Sequence, residues 1–153
     1  IVAFDASEAD GDTDLRRAVT IDETTMASPK FPQAGGPDYD WIEMRLADVI
    51  LLYAEALNET GDASGALVQL NKIRTRAGLA NSTATTQTAV RTAIADERRL
   101  ELAFEGHRWF DLVRTASAQT ELGVTFDNKY YLFPVPISEI ASSFNVITQN
   151  DGY

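Results

Sequence analysis

Two glutamates are the first residues of this sequence that could do chemistry. Glu97 and Glu101 lie four residues apart in a segment of helical pattern, which places both carboxylates among the apolar residues of one face. At a Cβ separation of about 6 Å they could be the acid and base of a glycosidase. They could also belong to an arginine network, because burying an unpaired carboxylate costs several kcal/mol. The available arginines are Arg45, Arg74, Arg98, Arg108 and Arg114.

The second of these interpretations is favoured, since catalytic carboxylates usually come from separate elements that line an open cleft. We therefore predict that Glu97 and Glu101 are buried and bound to arginines, from their own or a neighbouring helix, and that this chain holds no catalytic residue. Arginine suits this role because its planar fork can satisfy both oxygens of a carboxylate.

Histidine and cysteine content limits metal and nucleophilic chemistry. His107 is the only histidine and there is no cysteine, which excludes multi-histidine and thiolate metal sites. A serine or threonine triad with this single base is left open, but no Gly-x-Ser-x-Gly turn accompanies it. We interpret His107 as a structural residue beside a helix break, and we expect no metal and no cofactor.

Aspartates alternate at Asp10, Asp12 and Asp14, as they do at the start of an EF-hand calcium loop. The sixth position of such a loop requires glycine but is Leu15 here. The twelfth requires a bidentate glutamate but is Ile21. We interpret this run as a solvated acidic loop rather than as a calcium site.

Aromatic side chains could stack on sugar rings, and each could equally belong to a core. Tyr39 and Trp41 adjoin a Gly-Gly-Pro sequence and are expected to be the more exposed, so they are the candidate ligand-binding residues. Trp109 and Phe110 are expected to pack. The full set of candidates is Tyr39, Trp41, Trp109, Phe110, Tyr130 and Tyr131.

Helices must position these residues, and apolar spacing predicts a hairpin first. Residues 41–59 are apolar around most of the helix, so this helix must be covered on more than one side. Gly61 ends it, and Asp62 caps a second helix that runs to Ala77 and ends at Gly78. A connection this short predicts antiparallel packing, about the length of one tetratricopeptide unit.

A third helix is predicted over residues 88–105, and after Gly106 the helical pattern resumes over residues 108–116. Residues 1–40 are rich in glycine, proline and acids, which predicts mostly loop with a short strand near residues 18–21. Pro134 and Pro136 predict an extended segment over residues 130–136, followed by one helical turn over residues 138–141.

Charge and length bound the remaining possibilities. The 153 residues are enough for one domain. We expect no nucleic-acid partner, because a net charge of −10 repels phosphate. No apolar run approaches the roughly 20 residues of a membrane span. The chain begins with Ile1 and shows no targeting peptide, so we expect a fragment of a longer protein.

Four blocks resemble the C-terminal part of SusD/RagB proteins. Residues 45–59 read RLADVILLYAEALNE, residues 71–78 read NKIRTRAG, and residues 97–114 read ERRLELAFEGHRWFDLVR. The closing blocks LFPVP and QNDGY are similar to the family's terminal signature, with Asp151 where proline is more usual. The blocks keep the family's order.

This resemblance implies an all-α architecture of tetratricopeptide-like helical hairpins. It implies one domain over residues 1–153, with a variable loop region at 1–40, hairpins at 41–117 and an extended C-terminal segment at 118–153. It further implies a surface lipoprotein of the bacterial outer membrane, anchored through an N-terminal lipid site that this chain lacks. Such a protein binds an oligosaccharide or other nutrient without catalysis and passes it to a SusC-like TonB-dependent transporter.

Two other functions remain open from the residues alone. A free-standing helical-repeat module that binds protein would use the hairpin at residues 44–77, but only one copy of that unit is visible. A glycoside hydrolase fragment would rest on Glu97 and Glu101 alone.

Overall fold

Helices account for all the regular secondary structure in the computed structural model, which describes residues 2–31, 42–144 and 146–153. Within those ranges the only β pairing is an isolated bridge between Asp22 and Ala27. The predicted all-α fold class is confirmed. The helices are α1 Val2–Ser7, α2 Arg17–Thr20, α3 Leu46–Glu59, α4 Ala63–Arg76, α5 Gln87–Glu101, α6 His107–Arg114, α7 Ala118–Leu122 and α8 Ile137–Ser142, with a 3₁₀ helix at Asn128–Tyr131.

The chain divides into two compact units, Ile1–Arg108 and Trp109–Tyr153. The core of the first unit lies where α3, α4 and α5 pack against one another. Apolar residues at helical spacing supply it, as expected from the sequence. Its buried members are Ala47, Leu51, Ala54, Ala66, Leu70, Ile73, Val90 and Ile94. The prediction that residues 1–153 belong to a single domain stays a prediction.

The turn between α3 and α4 follows from two residues. Gly61 has a φ of +94°, and Asp62 N–H bonds back to the Leu57 carbonyl (2.8 Å), which closes the end of α3. The Asp62 carboxylate then accepts from Gly65 N–H (2.8 Å) and caps α4. The predicted hairpin is confirmed, although α3 begins at Leu46 rather than at residue 41.

The predicted third helix ends earlier than expected. Thr86 caps α5 by accepting from Ala89 N–H (3.2 Å), but the helix stops at Glu101 rather than at Glu105. Phe104 and Gly106 both have positive φ, so the chain turns before α6 begins.

Residues 2–31 hold more structure than the sequence predicted. α1 and α2 lie where loop was expected, and α2 replaces the short strand predicted near residues 18–21. A six-residue and a four-residue helix are too short to show an apolar repeat, which explains the error. Buried Phe4 is the apolar anchor of α1.

The second unit is built from short elements. The predicted extended segment at residues 130–136 is interrupted, since Asn128–Tyr131 is a 3₁₀ helix, and the predicted turn at 138–141 is part of α8. Gln149 fixes the chain end by two bonds to the Val135 backbone (2.7 and 2.9 Å). In neither unit do the described helices include one long and apolar enough to span a bilayer.

Candidate functional site

Glu97 lies on α5 with its side chain turned into the first unit. It is only 1% exposed. Arg16 Nη1 donates to Glu97 Oε1 (2.6 Å), and Arg74 Nη1 donates to Glu97 Oε2 (3.2 Å). Both carboxylate oxygens of this glutamate are therefore bound by arginine.

Glu101, one turn further along α5, is 3% exposed and is shared by three arginines. Arg45 and Arg76 both donate to its Oε1, and Arg16 donates to its Oε2 (3.1 Å). The prediction that Glu97 and Glu101 are buried and bound to arginine is confirmed.

The arginines differ in part from those anticipated. Arg45 and Arg74 were expected, but Arg16 and Arg76 were not. Arg98 binds Asp48 instead (2.8 Å), and it joins α5 to the first turn of α3. Both members of that pair are buried. Arg114 binds Asp111 (2.9 Å) in the second unit.

A third carboxylate, Glu105, continues the series although it lies beyond the end of α5. Lys30 Nζ donates to its Oε1 (2.5 Å), and Arg45 Nε donates to its Oε2 (2.7 Å). Glu105 is also buried. The sequence analysis missed it, although the spacing of four residues from Glu97 to Glu101 to Glu105 was a signal that could have found it.

Cations also bind the backbone at the end of α5. Lys30 Nζ donates to the carbonyl oxygens of Glu101 (2.9 Å) and Ala103 (3.1 Å), and Arg45 Nη2 donates to the Glu101 carbonyl (2.6 Å). The last carbonyls of a helix carry partial negative charge and have no helical partner. Lys30 and Arg45 supply that partner for the Glu101 carbonyl, the last of α5. We call Glu97, Glu101 and Glu105 the carboxylate ladder.

Burial and pairing shift the acidities of the ladder in different directions. Burial raises the pKa of Glu97 above its usual value, because the loss of solvation outweighs Arg16 and Arg74. Burial also acts to raise the pKa of Glu101, but Arg45, Arg76 and Arg16 outweigh it and the pKa is lowered. The pKa of Glu105 is likewise lowered, because Arg45 and Lys30 outweigh burial.

Two aspartates of the acidic run at residues 10–14 accept hydrogen bonds from protein groups. Asp14 is buried and accepts from Arg16 Nη2 (2.6 Å), while Asp12 accepts from Ala80 N–H (2.7 Å). Among the residues that the structure describes, no group of histidine, cysteine or acidic side chains could hold a metal ion. The interpretation of this run as a solvated loop is wrong for Asp14, which is only 2% exposed because its carboxylate pairs with Arg16.

Aromatic candidates for sugar stacking separate into two groups. Tyr39 and Trp41, the candidate ligand-binding residues, lie outside the described residues. In the second unit the rings pair with one another, as in Trp109 with Tyr131 (centroids 6.2 Å apart). Phe110 pairs with Phe133 (6.5 Å) but stays mostly exposed, so the expectation that it packs is met only in part.

His107 begins α6 and is half-buried. Its position beside the turn at Gly106 agrees with the predicted helix break. The structure gives it no described serine or threonine partner, and the interpretation of His107 as structural stays a prediction.

Chemically, the ladder is a closed set of ion pairs. Each carboxylate oxygen of Glu97, Glu101 and Glu105 accepts from at least one cation. A glycosidase acid must instead present a proton to its substrate, and its partner must reach a water or a sugar carbon. This arrangement fits the tying of chain segments together better than acid–base catalysis.

Comparison with known proteins decides the family. The sequence profile of the SusD family matches residues 14–129. The chain belongs to the SusD family. A SusD-like protein of Formosa agariphila is 36% identical over 131 residues, which cover 74% of this chain and 26% of that protein.

Solved structures of SusD-like proteins share the fold. A laminarin-binding SusD-like protein is 42% identical, with a TM-score of 0.60, over 72% of this chain and 23% of its own. A SusD homologue of Bacteroides thetaiotaomicron matches 97% of this chain and 37% of its own, with a TM-score of 0.75 and 24% identity. This SusD-family chain spans about a quarter or less of the length of the curated relatives that it matches.

Proposed function

We propose that this chain is part of a SusD-family protein that binds an oligosaccharide at the bacterial outer-membrane surface without altering it. The similarity to a laminarin-binding SusD-like protein, 42% identical over 72% of this chain, carries the proposal. Laminarin is a polysaccharide, so an oligosaccharide is the class of ligand we propose here. Delivery of that ligand to a SusC-like TonB-dependent transporter belongs to the same proposal, as does attachment through an N-terminal lipid.

The carboxylate ladder supports binding without catalysis. Glu97 and Glu101 are the pair that could have been a glycosidase acid and base, but arginines donate hydrogen bonds to the carboxylates of both. A glycosidase would need one of them free to protonate a leaving group. We propose that the ladder instead holds the scaffold on which the ligand site is built.

Incubation of the full-length protein with a panel of glucans and other glycans tests the proposal. We expect saturable binding of at least one glycan, with no change in its chain length after long incubation. Product release that disappears in Glu97→Gln or Glu101→Gln, while the helical content is kept, would overturn the non-catalytic assignment. Absence of binding to every glycan would overturn the ligand class.

Tyr39 and Trp41 are the residues that we propose for stacking on the ligand. Trp41→Ala and Tyr39→Ala should each weaken glycan binding, because an aromatic ring stacks on a sugar through its large flat apolar surface, which alanine lacks. Phe144→Ala is the control, because Phe144 is an exposed aromatic residue that is not among the candidates for sugar stacking. Equal affinities for all three variants and the parent protein would exclude Tyr39 and Trp41 from the site.

A further inference from the structure

Residues 2–31 are attached to the rest of the first unit mainly through polar groups, and we call them the N-terminal strap. The buried polar residues of the strap are Asp14, Arg16 and Thr20. Phe4 is its one buried apolar residue, whereas Leu15, Val19 and Met26 are each more than half exposed. The core between α3, α4 and α5 instead buries eight apolar residues. Because folding free energy comes mainly from apolar area removed from water, apolar burial contributes much less to holding the strap than to holding the core.

Two cations of the strap bind the carboxylate ladder. Arg16 donates to Glu97 (2.6 Å) and to Glu101 (3.1 Å). Lys30 donates to Glu105 (2.5 Å) and also to the Glu101 carbonyl (2.9 Å). Breaking a buried ion pair is costly when the surviving charge stays buried alone. The cost of releasing the strap therefore depends on which partners each glutamate keeps.

Every glutamate of the ladder also binds a cation that does not belong to the strap. These cations are Arg74 at Glu97, Arg45 and Arg76 at Glu101, and Arg45 at Glu105. They lie on α4 or directly before α3, so they stay with the core when the strap leaves. The ladder thus has two sets of partners, one in the strap and one in the core.

The strap likewise carries its own partner for Arg16. Asp14 accepts from Arg16 Nε (2.9 Å) and Nη2 (2.6 Å), and both residues belong to the strap. The Lys30 side chain is already 22% exposed and can be hydrated without its glutamate. Attraction within a buried ion pair is largely offset by the hydration that both charges lose. Exchanging the ion pairs between strap and ladder for water therefore costs little, because no charge is left buried and unpaired.

We propose that the N-terminal strap separates from the core and rebinds while α3, α4 and α5 stay folded. Local openings of this kind occur where few apolar residues are buried. The rival is a single cooperative unit, in which the strap is released only when the core unfolds. Phe4 and the contact of α1 with α5 favour the rival, but one buried side chain is a small apolar area beside the eight of the core. The opening needs no ligand, so it can be measured in the ligand-free protein.

Two backbone amides report whether the strap is attached. Leu15 N–H donates to the Ala77 carbonyl (2.9 Å), and Ala80 N–H donates to the Asp12 carboxylate (2.7 Å). Each bond joins the strap to residues outside it, so each breaks when the strap leaves. In hydrogen exchange of the full-length protein, we expect both amides to exchange at least about a hundredfold faster than the slowest amides of α3 and α5. Both should still exchange at least about tenfold more slowly than an unstructured chain, because the strap is bound most of the time.

Two arginine variants separate the strap from the core. Arg16→Gln removes a cation of the strap but leaves the ladder paired through the core, so exchange at both reporter amides should become at least about tenfold faster while α3 and α5 are unchanged. Arg76→Gln is the matched control, because Arg76 binds Glu101 from the core side. It should accelerate neither amide, since Glu101 then depends more on Arg16.

Equal exchange rates in the strap and in α3 and α5 would overturn the proposal, because they would show that the strap opens only with the core. Complete exchange of both reporter amides at the earliest time point would overturn it as well, since the strap would then not be bound. Acceleration by Arg76→Gln equal to that by Arg16→Gln, or an equal acceleration of α3 in Arg16→Gln, would also contradict it. Equal circular dichroism spectra of the two variants and the parent protein confirm that both variants are folded.

Discussion

Replacing Glu101 with alanine removes the carboxylate that Arg16, Arg45 and Arg76 share. Two of these arginines, Arg16 and Arg45, keep other carboxylate partners. Arg16 keeps Asp14 and Glu97, each at 2.6 Å, while the bond from Arg45 to the backbone carbonyl of residue 101 does not involve the side chain.

The remaining contacts set the expected cost. Breaking a buried ion pair by removing one member typically costs about 3–5 kcal/mol, because the surviving charge stays buried without its partner. Arg45 keeps Glu105 at 2.7 Å, and the side chain of Arg76 is more than half exposed and can be hydrated. We therefore expect the free energy of unfolding to fall by about 3 kcal/mol, at the lower end of that range.

Urea denaturation of the full-length protein and of Glu101→Ala, followed by circular dichroism, measures this change. Glu59→Ala is the matched control, because Glu59 also pairs with an arginine, Arg91 (2.6 Å), but on the surface. We expect little change in that variant. A loss below about 1 kcal/mol in Glu101→Ala would refute the view that the ladder is a buried structural network.

Two further predictions concern the stability of the fold at low pH and the backbone conformation of Gly78. Because pairing lowers the folded-state pKa of Glu101 and Glu105 below the ordinary 4.5, their stabilisation is fully present above pH 4.5 and is lost as the pH falls through the lowered values. Burial raises the pKa of Glu97, so this residue opposes the trend, but we expect the two lowered groups to dominate. We expect the urea concentration at the unfolding midpoint, measured from pH 7 to pH 3, to decrease once the pH is lowered below 4.5. The decrease should be less steep in Glu101→Gln. A midpoint that increases below pH 4.5 would contradict this prediction. Gly78→Ala should lower stability by about 1–2 kcal/mol through its φ of +83°, with a further loss because a Cβ would lie 3.0 Å from the Thr13 carbonyl oxygen. Thermal melting measures both losses, and Gly61→Ala is the control, because Gly61 has a φ of +94° and no atom within 4 Å of its Cβ position. Equal losses of stability in the two variants would exclude a contribution from the contact with Thr13.

Local signals in the sequence were sufficient for the helical hairpin. Apolar spacing located α3, α4 and α5, and short-range chemistry located their ends, as with Asp62 at the start of α4 and Gly78 at its end. These features depend on residues within one or two turns, which a single sequence displays directly. The burial of Glu97 and Glu101 followed from the same helical phase.

Long-range pairing could not be predicted in the same way. Helical phase required a cation for each buried glutamate, but it could not select Arg16, which lies 81 residues before Glu97. The cations at the end of α5 could not be predicted either. Lys30 and Arg45 bind the Glu101 carbonyl from distant segments, and the local sequence of α5 does not predict either contact.

The order in which the first unit can assemble follows from the sequence distances within the ladder. The α3–α4 hairpin closes across a turn at Gly61, so its contacts are local and form at small entropic cost. The bonds from Arg16 and Lys30 span 71 to 85 residues and require Glu97, Glu101 and Glu105 to be in place. During synthesis, residues 2–31 therefore leave the ribosome well before their anchors exist. Their bonds to the carboxylate ladder can form only after α5 has emerged.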